Sequence, residues 1–167
     1  MNKEVIYINE KIRLRKYDGN YEIALIGYQD PEVYQNSEGI FDETKIPDIE
    51  YINGMFNWLD KNGYLYFIEA LAEDNSYIPI GDVTIKDENP PIAIWYAKYR
   101  GSGIGYMVMK KVIEILKEMG YEKVRDSKVY KWNVKSQRLH EKLGFIKINE
   151  TEDEYIYELS LTDEDKI

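Results

Sequence analysis

Apolar and polar positions alternate over Lys11–Arg15, where Ile12 and Leu14 sit between Lys11, Arg13 and Arg15. A period of two predicts a strand. Tyr21, Ala24, Leu25 and Tyr28 fall at helical spacing and predict a helix over 17–28, which Asp30-Pro31 ends. Residues 32–48 read as loop, with Gly39 and Pro47 as punctuation. Ile52, Met55, Phe56 and Leu59 mark one face of a second helix over 49–61, and Asn62-Gly63 is a turn. Apolar runs at 64–71 and 78–86, parted by the polar stretch 73–76, predict an antiparallel hairpin. After Asn89-Pro90-Pro91 comes a third apolar strand, 92–97. Ile104, Val108, Val112, Ile115, Leu116 and Met119 then define a strongly amphipathic helix, with Gly120 placed as its C-terminal cap. A strand over 123–130, a short helix over 135–143 and a hairpin of 145–148 with 155–161 close the pattern. The predicted order is β-α-α-β-β-β-α-β-α-β-β. It implies an α/β (α+β) fold, a mixed sheet with helices on both faces.

Length sets one domain over residues 1–167 as the expectation, with 162–167 a frayed acidic tail. Hydrophobic residues make up 44% of the chain, which suits a packed core and not a disordered polymer. Cysteine is absent and histidine occurs once, at His140. Disulfides, thiolate nucleophiles, zinc ribbons and multi-histidine metal sites are thereby excluded, and no metal is expected. No apolar run approaches the roughly 18–20 residues of a membrane helix, and the opening MNKEVIYINEK is too charged for a secretory signal. A cytoplasmic protein without membrane contact is expected. The net charge of −9 argues against nucleic acid, which is bound by phosphate neutralisation, and is compatible with a cationic substrate.

The segment with most chemistry is Arg100-Gly101-Ser102-Gly103-Ile104-Gly105, where a strand runs through three alternating glycines into a helix. Such a turn turns main-chain N–H groups and a helix N-terminus toward one point, an arrangement that favours an anion such as phosphate. Glycine lets the backbone approach a ligand closely. The Arg100 side chain can add a charge-assisted contact. A glycine turn without ligand is the competing reading, since short motifs recur by chance. A nucleoside-triphosphate loop requires Gly-Lys-Ser/Thr, but Tyr106 and Met107 follow Gly105. A dinucleotide fingerprint requires a third small residue, where Tyr106 or Val108 stands.

The hexapeptide resembles the (Arg/Gln)-x-x-Gly-x-(Gly/Ala) motif of the GNAT acetyltransferase superfamily, with every specified position filled. About thirty residues on, Asn133 to Phe145 resembles that superfamily's second signature: an asparagine, a small residue three on (Ser136), and a helix ending in Lys-x-Gly-Phe. The close resemblance covers 78–145. The opening Ile-Arg-Leu-Arg and Asp-Pro-Glu-Val are similar to the branch holding ribosomal-protein N-terminal and antibiotic acetyltransferases. The implied fold is a mostly antiparallel twisted sheet of about six or seven strands with a central splay.

The resemblance implies acetyl-coenzyme A as co-substrate, its pyrophosphate held by the turn formed by Arg100, Gly101, Ser102, Gly103, Ile104 and Gly105. It implies that the strand before the turn pairs with the pantetheine arm, which places Trp95 and Tyr96 beside the cofactor, while 123–130 forms the other wall. Asn133, Ser136 and His140, three and four apart, share one helical stripe. In the resemblance Asn133 and Ser136 face pantetheine, and His140 stands where many members carry a tyrosine that protonates the leaving thiolate. The competing reading of His140 is a polar helix residue without a catalytic part.

The implied activity is direct acetyl transfer to a primary amine of a small molecule or peptide N-terminus, since no cysteine can carry an acetyl intermediate. A general base must take the ammonium proton. The strand 92–97 has no carboxylate, so Glu69 and Asp82 in the hairpin are the nearest candidates, with Tyr96 and Tyr130 as further polar groups. The competing reading of each carboxylate is a strand residue that simply faces water. Glu32, Glu38, Asp42 and Glu43 are placed to attract a cationic acceptor such as an aminoglycoside, a polyamine or a peptide end, or are a solvated loop. Dimers are common in the superfamily, and a homodimer is compatible with this chain. The alternative function is a non-catalytic acyl-coenzyme A-binding or sensing module on the same fold.

Overall fold

The computed structural model describes residues 1 and 3–162. The predicted tail therefore lies outside the described residues from 163 onward. Their contacts cluster into two compact units, 1–85 with 91–105, and 86–90 with 106–167.

The first unit holds a five-stranded antiparallel sheet in the order β1-β2-β3-β4-β5. Its strands are β1 (Val5–Tyr7), β2 (Ile12–Lys16), β3 (Tyr64–Leu71), β4 (Tyr77–Ile85) and β5 (Ile92–Ile94). β1 is too short for an alternation to register in the sequence. Its helices are α1 (Leu25–Tyr28), entered through a 3-10 turn at Tyr21–Ala24, α2 (Pro31–Glu38) and α3 (Ile49–Asn62). The expected helix over 17–28 thus begins only at Tyr21, after Gly19 with a φ of 91°. Conversely, the dipeptide read as a breaker starts α2: the Asp30 carboxylate caps the N–H of Glu32, and Pro31 occupies the first turn, where no N–H is needed. Asp48 caps α3 in the same way, accepting from the Tyr51 N–H at 2.8 Å.

One face of this sheet and the helices share a core of Ala24, Tyr28, Val33, Ile52, Phe56, Leu59, Leu65, Phe67, Ala93 and Trp95. Gly27 allows α1 to lie directly on Trp95. A Cβ there would fall 2.3 Å from the Trp95 Cβ.

The second unit holds β6 (Lys123–Tyr130), β7 (Ile146–Glu150) and β8 (Glu154–Ser160) in the antiparallel order β6-β8-β7, with α5 (Val134–Lys142). α4 (Ile104–Glu118) leads from the end of the first unit into the second. It buries Ile104, Val108, Val112, Ile115 and Leu116, the predicted stripe, whereas Met119 lies past the helix end and is exposed. Gly120 has a φ of 91° and ends the helix as expected. Among the described residues the strands total eight, one more than the sequence pattern indicates, because of β1. β5 and β6 each end their own sheet.

Candidate active site

The glycine turn is exposed through Gly101, Ser102 and Gly103. Gly101 and Gly103 have φ angles of 75° and 85°, a left-handed backbone that a side chain disfavours. Neither has an atom within 4 Å of where a Cβ would stand, so the glycines serve backbone shape and leave open space above the turn. The Ser102 hydroxyl donates to the Tyr99 carbonyl at 2.6 Å, which stitches the turn to the 3-10 turn at Ala97–Tyr99. Among the described residues no protein acceptor takes the N–H of Gly101, Ser102 or Gly103. The N–H groups of Ile104 and Gly105 open α4 and have no acceptor within the helix. Five successive main-chain donors therefore stand at one helix entrance.

Arg100 does not extend its charge into that space. Its side chain is only 13% exposed, and the guanidinium donates from Nη1 to Glu32 Oε2 at 2.6 Å. Nη2 donates to Asp30 Oδ2 at 2.5 Å and to the Trp95 carbonyl at 3.2 Å. The expected phosphate contact from this side chain is replaced by a clamp on α2, and Glu32 is drawn into the same clamp.

β5 is an edge strand, and its register decides which residues offer main-chain groups outward. The Trp95 N–H donates to the Ile80 carbonyl, and the Thr84 N–H donates to the Pro91 carbonyl. Residues 91, 93 and 95 thus face β4, and Ile92, Ile94 and Tyr96 face the open edge. This corrects the expectation for Trp95, whose N–H and carbonyl are both engaged within the protein. Its indole, 1% exposed, lies in the core. Tyr96 keeps an outward N–H, and Ile94 joins it, a residue that hydrophobic patterning does not single out.

The Trp95 indole N–H donates to Asp82 Oδ2 at 2.8 Å, and the Tyr28 hydroxyl donates to the same oxygen at 2.8 Å. Burial pushes the Asp82 carboxyl up to about 7, against the pull of those two hydrogen bonds and with a further push from the charge of Glu38. Asp82 is without a cationic partner among the described residues. Glu38 accepts from the Tyr51 hydroxyl, and burial raises its carboxyl too. Glu69 differs. Its two oxygens accept from Arg13 Nε and Arg15 Nε, each at 2.8 Å, so each oxygen is tied to a cation. Glu69 thus anchors two arginines of β2, whereas Asp82 has no such partner among the described residues. A cleft of about 460 Å³ lies beside Asp82's indole partner, with Ile23, Ile78 and Pro79 facing Trp95, Tyr96 and Tyr99, and Lys98 at the same opening.

In the second unit Asn133 caps α5, its Oδ1 accepting from the Ser136 N–H at 3.2 Å. Ser136 and His140 do share a stripe. His140 Nδ1 lies 2.7 Å from the Ser136 carbonyl, an acceptor only, so this nitrogen carries the proton. The ring stacks on Tyr157 at 5.3 Å and meets Phe145 edge-on at 4.8 Å. Burial lowers its pKa, with the Ser136 hydrogen bond acting the other way. A neutral imidazole with a bare Nε2 is the result. Among the described residues no group of acidic or histidine side chains is arranged to hold a metal, and no helix is long and apolar enough to cross a membrane.

The Acetyltransferase (GNAT) family model matches residues 31–145, and the chain belongs to that family. No curated protein matches. Among solved structures, a domain from Methanocaldococcus jannaschii is similar with a TM-score of 0.75 at 25% identity, over 91% of this chain and 99% of that one. Spermidine N-acetyltransferase from Vibrio cholerae, solved with CoA and spermine, gives 0.68 at 16% identity, over 92% and 97% of the two chains. Ribosomal-protein-S5-alanine acetyltransferase from Vibrio fischeri gives 0.69 at 14% identity, over 95% and 97%. At those identities the last two establish the shared fold.

Proposed function

We propose that this protein transfers the acetyl group of acetyl-coenzyme A to a primary amine. The observation that carries the reading is the set of main-chain donors from Gly101 to Gly105, shaped by two left-handed glycines and exposed at Gly101, Ser102 and Gly103. A pyrophosphate supplies the acceptors these donors lack. The outward main-chain groups of Ile94 and Tyr96 offer the pantetheine amides an extra strand's worth of pairing. Asn133 and Ser136, whose polar groups already order the start of α5, are assigned to the same arm on the family resemblance.

In the transfer, the amine lone pair forms a bond to the thioester carbon, the attached nitrogen gives up its extra proton to solvent, the C–S bond breaks, and the sulfur leaves as thiolate. The amine must first lose the proton of its ammonium form. Asp82 is the base in this proposal: it has no cation beside it, and a carboxyl near 7 can exchange protons at neutral pH. Because Asp82 is buried, the proton travels by a hydrogen-bonded path, and Tyr28 is its first member. The thiolate proton is not assigned to His140. A neutral imidazole whose Nδ1–H is fixed on the Ser136 carbonyl has no second proton to give. Solvent serves instead.

The acceptor we favour is cationic, a polyamine, an aminoglycoside or a peptide N-terminus. The net charge of −9 and the uncompensated Asp82 and Glu38 support that choice. Related enzymes named for spermidine and for a ribosomal-protein alanine lend it a precedent. The decisive experiment is a screen of primary amines with acetyl-coenzyme A, following thiol release, beside calorimetric titration with coenzyme A. Saturable binding with turnover on at least one amine is expected. Tight binding with no turnover on any amine would instead favour the binding-only module.

A further inference from the structure

We infer that Arg100 is a positioning residue: by clamping Asp30 and Glu32 of α2, it holds the glycine turn in the shape that receives the coenzyme. The inference rests on the coenzyme reading given above. Three observations lead to it. The guanidinium fork reaches two carboxylates and the Trp95 carbonyl at once, and leaves only Nε, buried, without a partner. Asp30 uses its two oxygens for different tasks, Oδ1 for the Glu32 N–H at the α2 cap and Oδ2 for Arg100. The root of the turn is thereby fastened to a helix terminus and not to a mobile side chain. Finally, Arg100 is the last residue of extended backbone before the left-handed Gly101, so a shift at Arg100 changes where the following N–H groups aim.

Electrostatic attraction gives the opposite account, and the sign of one measurement separates the two. The carboxylates of Asp30 and Glu32 bring negative charge to the root of the turn, which repels a polyphosphate. Were charge the only effect, neutralising Asp30 and Glu32 would tighten coenzyme binding, and would also free Arg100 to reach the phosphates. If the clamp positions the turn, the same change weakens binding. Asn remains a good helix cap at position 30, so α2 keeps its N-terminus in the test variant.

The experiment is calorimetric titration of coenzyme A into the full chain, into Asp30→Asn/Glu32→Gln, into Arg100→Gln, and into all three substitutions together. The expected result is at least tenfold weaker binding for the first two variants. The triple variant should be no weaker than the weaker of them, because both break one clamp. Arg100→Lys, which keeps the charge but lacks the fork, should also bind more weakly, and it stands in if Arg100→Gln fails to fold. In turnover, KM for acetyl-coenzyme A should rise while kcat stays within about twofold, a split that general loss of fold does not produce. Tighter or unchanged binding by Asp30→Asn/Glu32→Gln, or additive losses in the triple variant, overturns the inference and leaves the coenzyme reading standing. Absence of binding to the unaltered chain removes the coenzyme reading itself.

Discussion

Tyr28 and Asp82 meet through a single hydrogen bond, the phenol donating to Oδ2 at 2.8 Å, in a place where both side chains are buried. This bond stabilises the carboxylate, while loss of water around it opposes charge. The balance leaves Asp82 near 7. Tyr28→Phe removes one of the two donors, so the Asp82 pKa should rise. The acidic limb of a kcat–pH profile, which reports ionisation of the base, should then move to higher pH, and kcat above that limb should fall because the first member of the proton path is gone. Asp82→Asn should lower kcat by about a hundredfold or more and abolish that limb, in line with the size of general-base effects. A profile in Asp82→Asn that matches the unaltered protein would show that another group takes the proton.

Asp82 also sets a pH dependence of stability. Its folded pKa, about 7, stands above its ordinary value of 3.8. Between those values the folded chain keeps a proton that the unfolded chain releases, so stability falls as pH rises through this window. Asp82→Asn preserves an oxygen for Tyr28 and Trp95 but cannot ionise. It should be the more stable protein at pH 8, by an amount on the order of a few kcal/mol. Thermal melts at pH 5 and pH 8 check this, with the gap between variant and parent expected to widen at pH 8.

His140 gives the reverse slope. Its pKa is depressed by burial below 6.5, so the unfolded chain binds a proton that the folded chain refuses as pH falls below that value. Stability is therefore full above about 6.5, the ordinary histidine value, and declines on acidification. NMR titration of the His140 ring should give a midpoint below 6.5. His140→Ala should melt at lower temperature through loss of the contacts to Tyr157 and Phe145. Its kcat at neutral pH should stay within a few-fold of the parent. A drop of more than a hundredfold would return the proton-donor role to this residue.

These three residues also show how far the sequence reaches. Asp82 was legible as a polar residue within an apolar strand, and His140 as the one histidine of the chain, on the stripe of Asn133 and Ser136. Their partners were not legible. Tyr28 lies 54 positions from Asp82, and packing of α1 against the sheet brings the pair together. The glycine turn was readable because its chemistry is local: backbone shape and helix entrance lie within six residues. Arg100 belongs to the same hexapeptide yet misled, since its side chain answers to Asp30 and Glu32, about 70 positions away. Trp95 misled for a different reason. Which edge of a strand a residue serves depends on pairing parity, and hydrophobic alternation reports side-chain faces and not hydrogen-bond directions. Strands and helices over 49–62, 64–71, 104–118 and 123–130 followed their patterns closely because length made the period unambiguous.

The glycine turn yields a test that separates ligand contact from fold. Gly103→Asp places a side chain and a negative charge above the donor row, at a φ of 85° that costs a non-glycine residue roughly 1–2 kcal/mol. Open space around the Cβ position means that no packing clash adds to this. Gly103→Asn carries nearly the same strain and size without charge. Both should melt a few degrees below the parent. Coenzyme A affinity should fall in both, and further in the aspartate variant, with the extra loss shrinking at high salt. Equal affinity across parent and variants would place the diphosphate elsewhere.

Gly27 joins packing to chemistry. A methyl group there would stand 2.3 to 2.8 Å from the Trp95 Cβ, Cγ and Cδ1, which no side-chain rotation relieves, since Trp95 is fixed by its main-chain bond to Ile80. α1 must lift, or the indole must tilt. Either movement pulls the indole N–H from Asp82 and disturbs the wall of the neighbouring cleft. Overpacking of this kind costs about 1–3 kcal/mol. Gly27→Ala should therefore melt at lower temperature and shift the acidic limb of the kcat–pH profile upward, because one stabilising donor leaves the carboxylate. A variant that loses stability but keeps the parent's pH profile would show that α1 moves away without carrying the indole, and would uncouple the helix from the base.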